Sequence, residues 1–228
     1  MRNRLRTTII ASAAAAVVAV GMSFTVQSVE GQQGYQAPQT ADGKPDLNGI
    51  WQAVSSAHFD VEPHAARFGP VVEMAAHGAI PGGLGIVQGG EIPYRPEARA
   101  KQQENLQYWL ERDPATKCYM PGVPRATYMP YPFQLVQTPE YVLLAYEFAS
   151  ASRIVYMDRP DFEAPVDSWM GHNIGSWDGD TLVIDVTAQM PDTWLDQSGN
   201  HHSNSIHVVE RYTALSENHL MYEATITD

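Results

Sequence analysis

A single cysteine, Cys118, stands in 228 residues, so no disulfide can close within the chain and no thiolate-rich zinc site can be built. In an oxidising compartment a lone thiol of this kind is expected to be buried. Positive charge is scarce too: 14 Lys and Arg stand against 26 Asp and Glu, a net charge of −12. A surface of that sign repels phosphate backbones and anionic headgroups, which argues against nucleic acid and membrane partners. No Gly-x-Ser-x-Gly elbow occurs, so a hydrolase built on a serine nucleophile lacks its usual turn. GGLGIVQGG, from Gly82 to Gly90, is not followed by a helix start, so it is not a phosphate-cradling loop. No internal repeat is visible.

A membrane-spanning run of full length is also missing, and an uncleaved anchor is the alternative to an export signal. The one long apolar stretch, Thr8 to Met22, falls short of the ~20 residues that a span requires. Arg2, Arg4 and Arg6 precede it and a polar stretch follows, the pattern of an export signal over residues 1–31. Without residues 1–33 the chain keeps 11 Lys and Arg against 25 Asp and Glu, a charge of −14. A periplasmic or secreted location is therefore expected. Residues 32–46, rich in Gln, Gly and Pro, read as a linker, and residues 47–228 as one β-rich domain.

Within that domain the dominant period is two. Strands are expected at Leu47 to Gln52, Phe133 to Thr138, Tyr141 to Phe148, Arg153 to Met157, Trp169 to Trp177, Thr181 to Thr187, Ser205 to Thr213 and Leu220 to Thr227. Short turns such as Pro139-Glu140 and Glu217-Asn218 predict antiparallel neighbours, and a meander of this length should close into a barrel or a curled sheet. One helix is expected near residues 96–112, opened by Pro96-Glu97 and stopped by Asp113-Pro114. Its narrow stripe of Ala98, Leu106, Trp109 and Leu110 should lie against a sheet or a barrel end and not in the core. Ala66 to Pro93, glycine-rich and poor in charge, reads as an irregular excursion, either a lid or a surface loop. Four prolines between Cys118 and Phe133 predict an extended segment without helix.

Three sets of residues stand out as chemistry. A two-residue turn at Asp178-Gly179 would set His172 opposite Asp185, within reach of an imidazole–carboxylate bond, and His207 could assist such a dyad. That reading depends on one register and on the face turning inward. His201, His202 and His207 lie within seven residues; His202 and His207 are candidate ligands for a divalent metal, although the spacing matches no helix-borne zinc motif. Tyr128, Tyr131, Trp169 and Trp194 could line the mouth of a ligand site, or simply serve as core and rim.

The stretches CYMPGVPRATYMPYPFQLVQTPEYVLLAYE, WMGHNIGSWDGDTLVIDVT and TWLDQSGNHHSNSIHVVERY, with the opening GKPDLNGIWQ, resemble a family of exported bacterial proteins common in proteobacteria and acidobacteria, one without an assigned activity. The resemblance covers most of the chain from about residue 42, and it implies that MYEATITD is followed by further residues in the intact protein. Gly49-Ile50-Trp51 is similar to the Gly-x-Trp that begins lipocalin-type barrels, which implies a calycin-like fold.

Three functions follow as expectations. One is an exported β-barrel domain that binds a small apolar or aromatic ligand. Another is an enzyme, a hydrolase, lyase or isomerase using His172 and Asp185 with or without a metal. The last is an envelope protein without a ligand.

Overall fold

The computed structural model describes residues 35–228, so the expected export signal and the start of the linker lie outside the described residues. Residues 36–228 form one compact unit. The latter part of the expected linker folds back within it, with Thr40 N–H donating to Lys44 O at 2.8 Å.

All eight expected strands form: β1 (Gly49–Trp51), β2 (Phe133–Gln137), β3 (Tyr141–Tyr146), β4 (Ser152–Met157), β5 (His172–Asp178), β6 (Thr181–Thr187), β7 (His207–Ser216) and β8 (His219–Thr227). They make one sheet in sequence order, curled into a half-barrel with β1 and β8 at its edges. Alternation decides the faces. Leu135, Val142, Leu144, Val155, Leu182, Ile184 and Val208 turn inward and are almost fully buried, each worth roughly 1.5–3 kcal/mol against exposure. Their sequence neighbours turn outward.

Six of the seven strand pairs are antiparallel, as the short turns predict. The exception is β4 with β5, which run parallel with Val155 beside Asn173 and Met157 beside Gly175. The cause lies in the connection: residues 158–171 supply the dozen or more residues that a parallel crossover needs, where a hairpin would need only a few.

The expected helix appears as α1 (Pro96–Gln107) and α2 (Trp109–Arg112), separated by Tyr108 at φ −115°, ψ 27°. It lies outside the core as expected, but polar residues and not the apolar stripe make the contact. The buried positions are Gln102 and Asn105, which donate to Ser198 O (2.6 Å) and Gly199 O (3.2 Å), while Leu110 is half exposed. A polar loop, and not the sheet, receives the helix. Gly199 permits this at φ 82°, since a Cβ there would sit 2.6 Å from Asn105 Cβ.

The proline-rich segment is not wholly extended. Pro124 and Pro130 leave a window between them in which α3 (Arg125–Tyr128) forms one buried turn, because proline blocks the residues around it and not those four. Residues 66–93 are irregular apart from a kinked 3-10 turn at Val72–His77, and paired bonds between Arg67 and Ile80 (3.1 and 2.9 Å) close that turn's base, with Phe68 and Leu84 exposed. Cys118 is exposed, contrary to expectation. It sits in the left-handed region at φ 58°, its N–H closing the turn of Pro114–Lys117, so backbone geometry and not thiol packing decides its place.

Candidate functional site

The hairpin of β5 and β6 is the first test of the expected chemistry. Its two-residue loop is Gly179-Asp180, with Gly179 at φ 58° in the position where a type II′ turn places glycine. The register is therefore displaced by two residues from a turn at Asp178-Gly179. His172 pairs with Thr187, and Asp185 with Ile174. A shift of two keeps every side chain on its face, so Asn173 and Gly175 still turn inward while His172 and Asp185 turn outward.

The expected His172–Asp185 dyad is thus not formed. Asp185 instead accepts from His207 Nε2 at 2.9 Å, a diagonal contact across β6 and β7. Both side chains are over two-fifths exposed (43% and 49%), which makes the contact a solvated surface pair worth ~1 kcal/mol or less.

His172 has another setting. Its Nε2 lies 2.6 Å from the carbonyl oxygen of Phe162 and must carry the proton, so a neutral ring keeps its lone pair on Nδ1. The ring stacks near Tyr156 (5.9 Å between centroids) and beside Phe162 (5.1 Å). His172, Tyr156 and Ile154 form one side of a cleft of about 320 Å³, completed by Ser152, Arg153, Ser168, Met170, Gly171 and Asn173. The parallel pairing creates it. Because Val155 lies beside Asn173, the first residues of β4, Ser152 and Arg153, run past the start of β5 and leave a gap at the loop Ser168 to Gly171.

The inner wall of that cleft opens onto a buried polar network that pattern reading overlooked. Arg153, 4% exposed, donates from Nη1 and Nη2 to Glu210 Oε2 and Oε1 at 2.5 and 2.9 Å. It also donates to Tyr146 Oη (3.1 Å), Asn173 Oδ1 (2.9 Å) and Tyr212 Oη (3.1 Å), which uses all five of its N–H groups. Tyr212 and Tyr222 donate to Glu210 Oε1 in turn. Burial opposes the charge on Arg153, but Glu210 and the phenols beside it outweigh that and hold its pKa well above the usual value. Burial likewise pushes Tyr146, Tyr212 and Tyr222 up. A signal was present in the sequence: Arg153 and Glu210 occupy inward positions of strands whose other inward residues are apolar or aromatic.

The histidine-rich block is structural. Asp196 is fully buried and accepts from Val61 N (2.9 Å), Ser198 N (2.8 Å), Asn200 N (3.2 Å) and Asn200 Nδ2 (2.6 Å), knitting residues 196–200 to the segment around Val61. Burial outweighs these donors and pushes its pKa up to about 7. His58, buried nearby and facing the charge of Arg125, is pushed down to about 3, first by burial. His202 is buried with Nδ1 2.8 Å from Ser203 O and Nε2 2.7 Å from Thr193 Oγ1. Burial lowers its pKa, and the Thr193 hydroxyl engages the lone pair a metal would need. The expected metal pair is therefore not assembled: His202 is inside and His207 is on the outer face. Among the described residues no group of three or more His, Cys, Asp or Glu could hold a metal ion.

Nor do the four expected aromatics share one mouth. Tyr128 is buried and donates to Leu195 O at 2.6 Å, and Trp194 is buried next to His201. Tyr131 is exposed beside Phe148, and Trp169 packs near Tyr119. None lines the cleft, although Trp169 sits in the loop whose Ser168, Met170 and Gly171 do.

The chain matches no protein-family model, and no characterised protein or solved structure is similar to it. What the cleft does must be read from its residues.

Proposed function

We propose that this chain is an exported β-sheet domain that binds a small uncharged ligand in the cleft at the start of β4 and β5. One observation carries the reading: Arg153 reaches the cleft, yet all five of its N–H groups are already engaged. The cleft therefore has a polar floor without a free charge. An ionised ligand would surrender its hydration there with no counter-charge in return. Ile154 and Tyr156 supply an apolar wall, and the Ser152 hydroxyl and His172 Nδ1 have no hydrogen-bond partner among the described residues. A compact ligand with one aromatic or apolar face and one hydroxyl fits that set. The basic residues and apolar run at the N-terminus support export.

Benzyl alcohol and benzoate, equal in ring and opposed in charge, test the reading by NMR titration. The alcohol should shift the amides of residues 152–156 and 168–173 and bind at least about tenfold more tightly than the acid, a difference of ~1.4 kcal/mol. His172→Ala should weaken the alcohol. Equal binding of the two probes, or binding of neither, overturns the proposal.

A second reading rests on the fixed tautomer of His172. With Nε2–H held by Phe162 O, Nδ1 is set to accept a proton, as a general base does in hydrolases, lyases and isomerases. Chemical change in a bound hydroxylated probe, lost in His172→Ala, would favour it.

A further inference from the structure

The outer face next to the cleft carries a feature that a soluble acidic protein rarely leaves open. Ile154, a cleft residue, pairs directly with Leu143, and Leu143 with Val136. Ile50 follows on β1, one step diagonal from Val136. These four outward side chains are 48%, 36%, 37% and 74% exposed for Ile154, Leu143, Val136 and Ile50. Directly opposed residues have Cβ atoms ~4.5–5.5 Å apart and diagonal ones ~7–8 Å, so Ile154, Leu143 and Val136 form a continuous apolar row across three strands, with Ile50 one diagonal step beyond on the fourth.

The strands that carry the row are uncharged on this face. β1, β2 and β3 contain no Asp, Glu, Lys or Arg, and the only one in β4 is Arg153, which turns inward. In a chain of net charge −12, that is a local exception. The relief is that of a track. Tyr141 and Tyr156, in edge contact at 5.6 Å, stand along one side, and small Ala145 and Ser152 lie along the other.

We propose that this row extends the cleft, and that the ligand is an uncharged amphiphile whose polar or aromatic head sits in the cleft and whose alkyl chain runs over Ile154, Leu143 and Val136 to Ile50. The proposal rests on the ligand-binding reading of the cleft and adds the chemical class of the ligand. Two features select a chain over a protein partner. A specific protein interface needs ~800 Å² from each side, far more than one row of side chains presents. The row also starts at the cleft, so one molecule can occupy both. Two strand spacings of ~4.8 Å and one diagonal step of ~7–8 Å span ~17 Å, the length of roughly thirteen methylenes in extended form. Charged headgroups are disfavoured for the reason given for the cleft: among the described residues its lining holds no Lys, and its one Arg, Arg153, has no N–H left for a carboxylate.

The test uses benzyl alcohol and its 4-butyl and 4-octyl derivatives, titrated against the full chain below their aggregation limits. A half-buried methylene adds about twofold in affinity, so binding should tighten steadily along the series. The gain from butyl to octyl should shrink markedly in a Val136→Thr/Leu143→Thr variant, in which both positions keep a strand-favouring residue and lose much of their apolar surface, while the first gain over Ile154 remains. Thermal unfolding of the variant confirms its folding, and the separate Val136→Thr and Leu143→Thr chains, each expected to lower the slope, serve if it does not fold. If benzyl alcohol binds and longer derivatives gain nothing, the track is refuted while the cleft stands. An equal slope in the variant also refutes it, since the chain would then lie elsewhere. If benzyl alcohol itself does not bind, both readings fall.

Discussion

Arg153→Met removes the cation at the centre of the half-barrel and leaves the Glu210 carboxylate in a site with 0% exposure. In the native chain Glu210 receives two guanidinium N–H bonds and two phenolic ones, from Tyr212 and Tyr222. The variant keeps only the phenols. Removing one partner of a buried ion pair costs ~3–5 kcal/mol, because the remaining charge must be desolvated without compensation. A domain of this kind has ~5–15 kcal/mol in total, so the loss is roughly a fifth of its stability or more. Glu210→Gln alone strands the guanidinium in the same way. Combined with Arg153→Met, however, it removes both charges, and the Gln carbonyl still accepts from Tyr212 and Tyr222. The double variant should therefore recover at least ~2 kcal/mol relative to the sum of the singles. Urea unfolding followed by tryptophan fluorescence, with m-values checked for constancy, measures all four corners of the cycle. Additive losses, or an Arg153→Met cost below ~1 kcal/mol, would show that water reaches this pair and that the inner face is not the dry core described.

Two further outcomes follow from the loop that receives the helix. Asp196 titrates near 7 in the folded chain and near 3.8 when unfolded, so the folded state holds its proton more tightly. Its contribution is then largest below pH 3.8, is lost as pH rises towards 7 and is flat above, a span of up to ~4 kcal/mol. Asp196→Asn should flatten that part of the profile in urea midpoints taken at pH 4, 5.5 and 7.5, and an unchanged slope would mean that the four N–H donors keep the carboxylate ionised. Gly199→Ala forces a Cβ to within 2.6 Å of Asn105 Cβ and 2.7 Å of Leu106 N at φ 82°. It should cost ~1–3 kcal/mol and speed hydrogen exchange in α1 before the sheet, whereas uniform exchange rates would count against independent docking of the helix.

The cleft shows how far local pattern reaches. The alternation of LVQTPEYVLLAYE and TLVIDVT was enough to place the strands and to separate inward from outward residues, since neighbouring side chains in a strand must point to opposite faces. The same alternation put His172 and Asp185 on one face correctly but could not choose between turns one residue apart, and that choice moved Asp185 from His172 to a diagonal contact with His207. The glycine that can occupy either central position of a two-residue turn left the register open.

Strand content, the two faces, the acidic surface and the lone cysteine belong to the sequence by itself, because each depends on residue type and near neighbours. The cleft and its network belong to the tertiary structure. Arg153 meets Glu210 across 57 residues, and the gap beside His172 exists only because β4 and β5 run parallel. No short-range rule contains such contacts; they arise when a long crossover returns the chain to a sheet whose other positions are already taken.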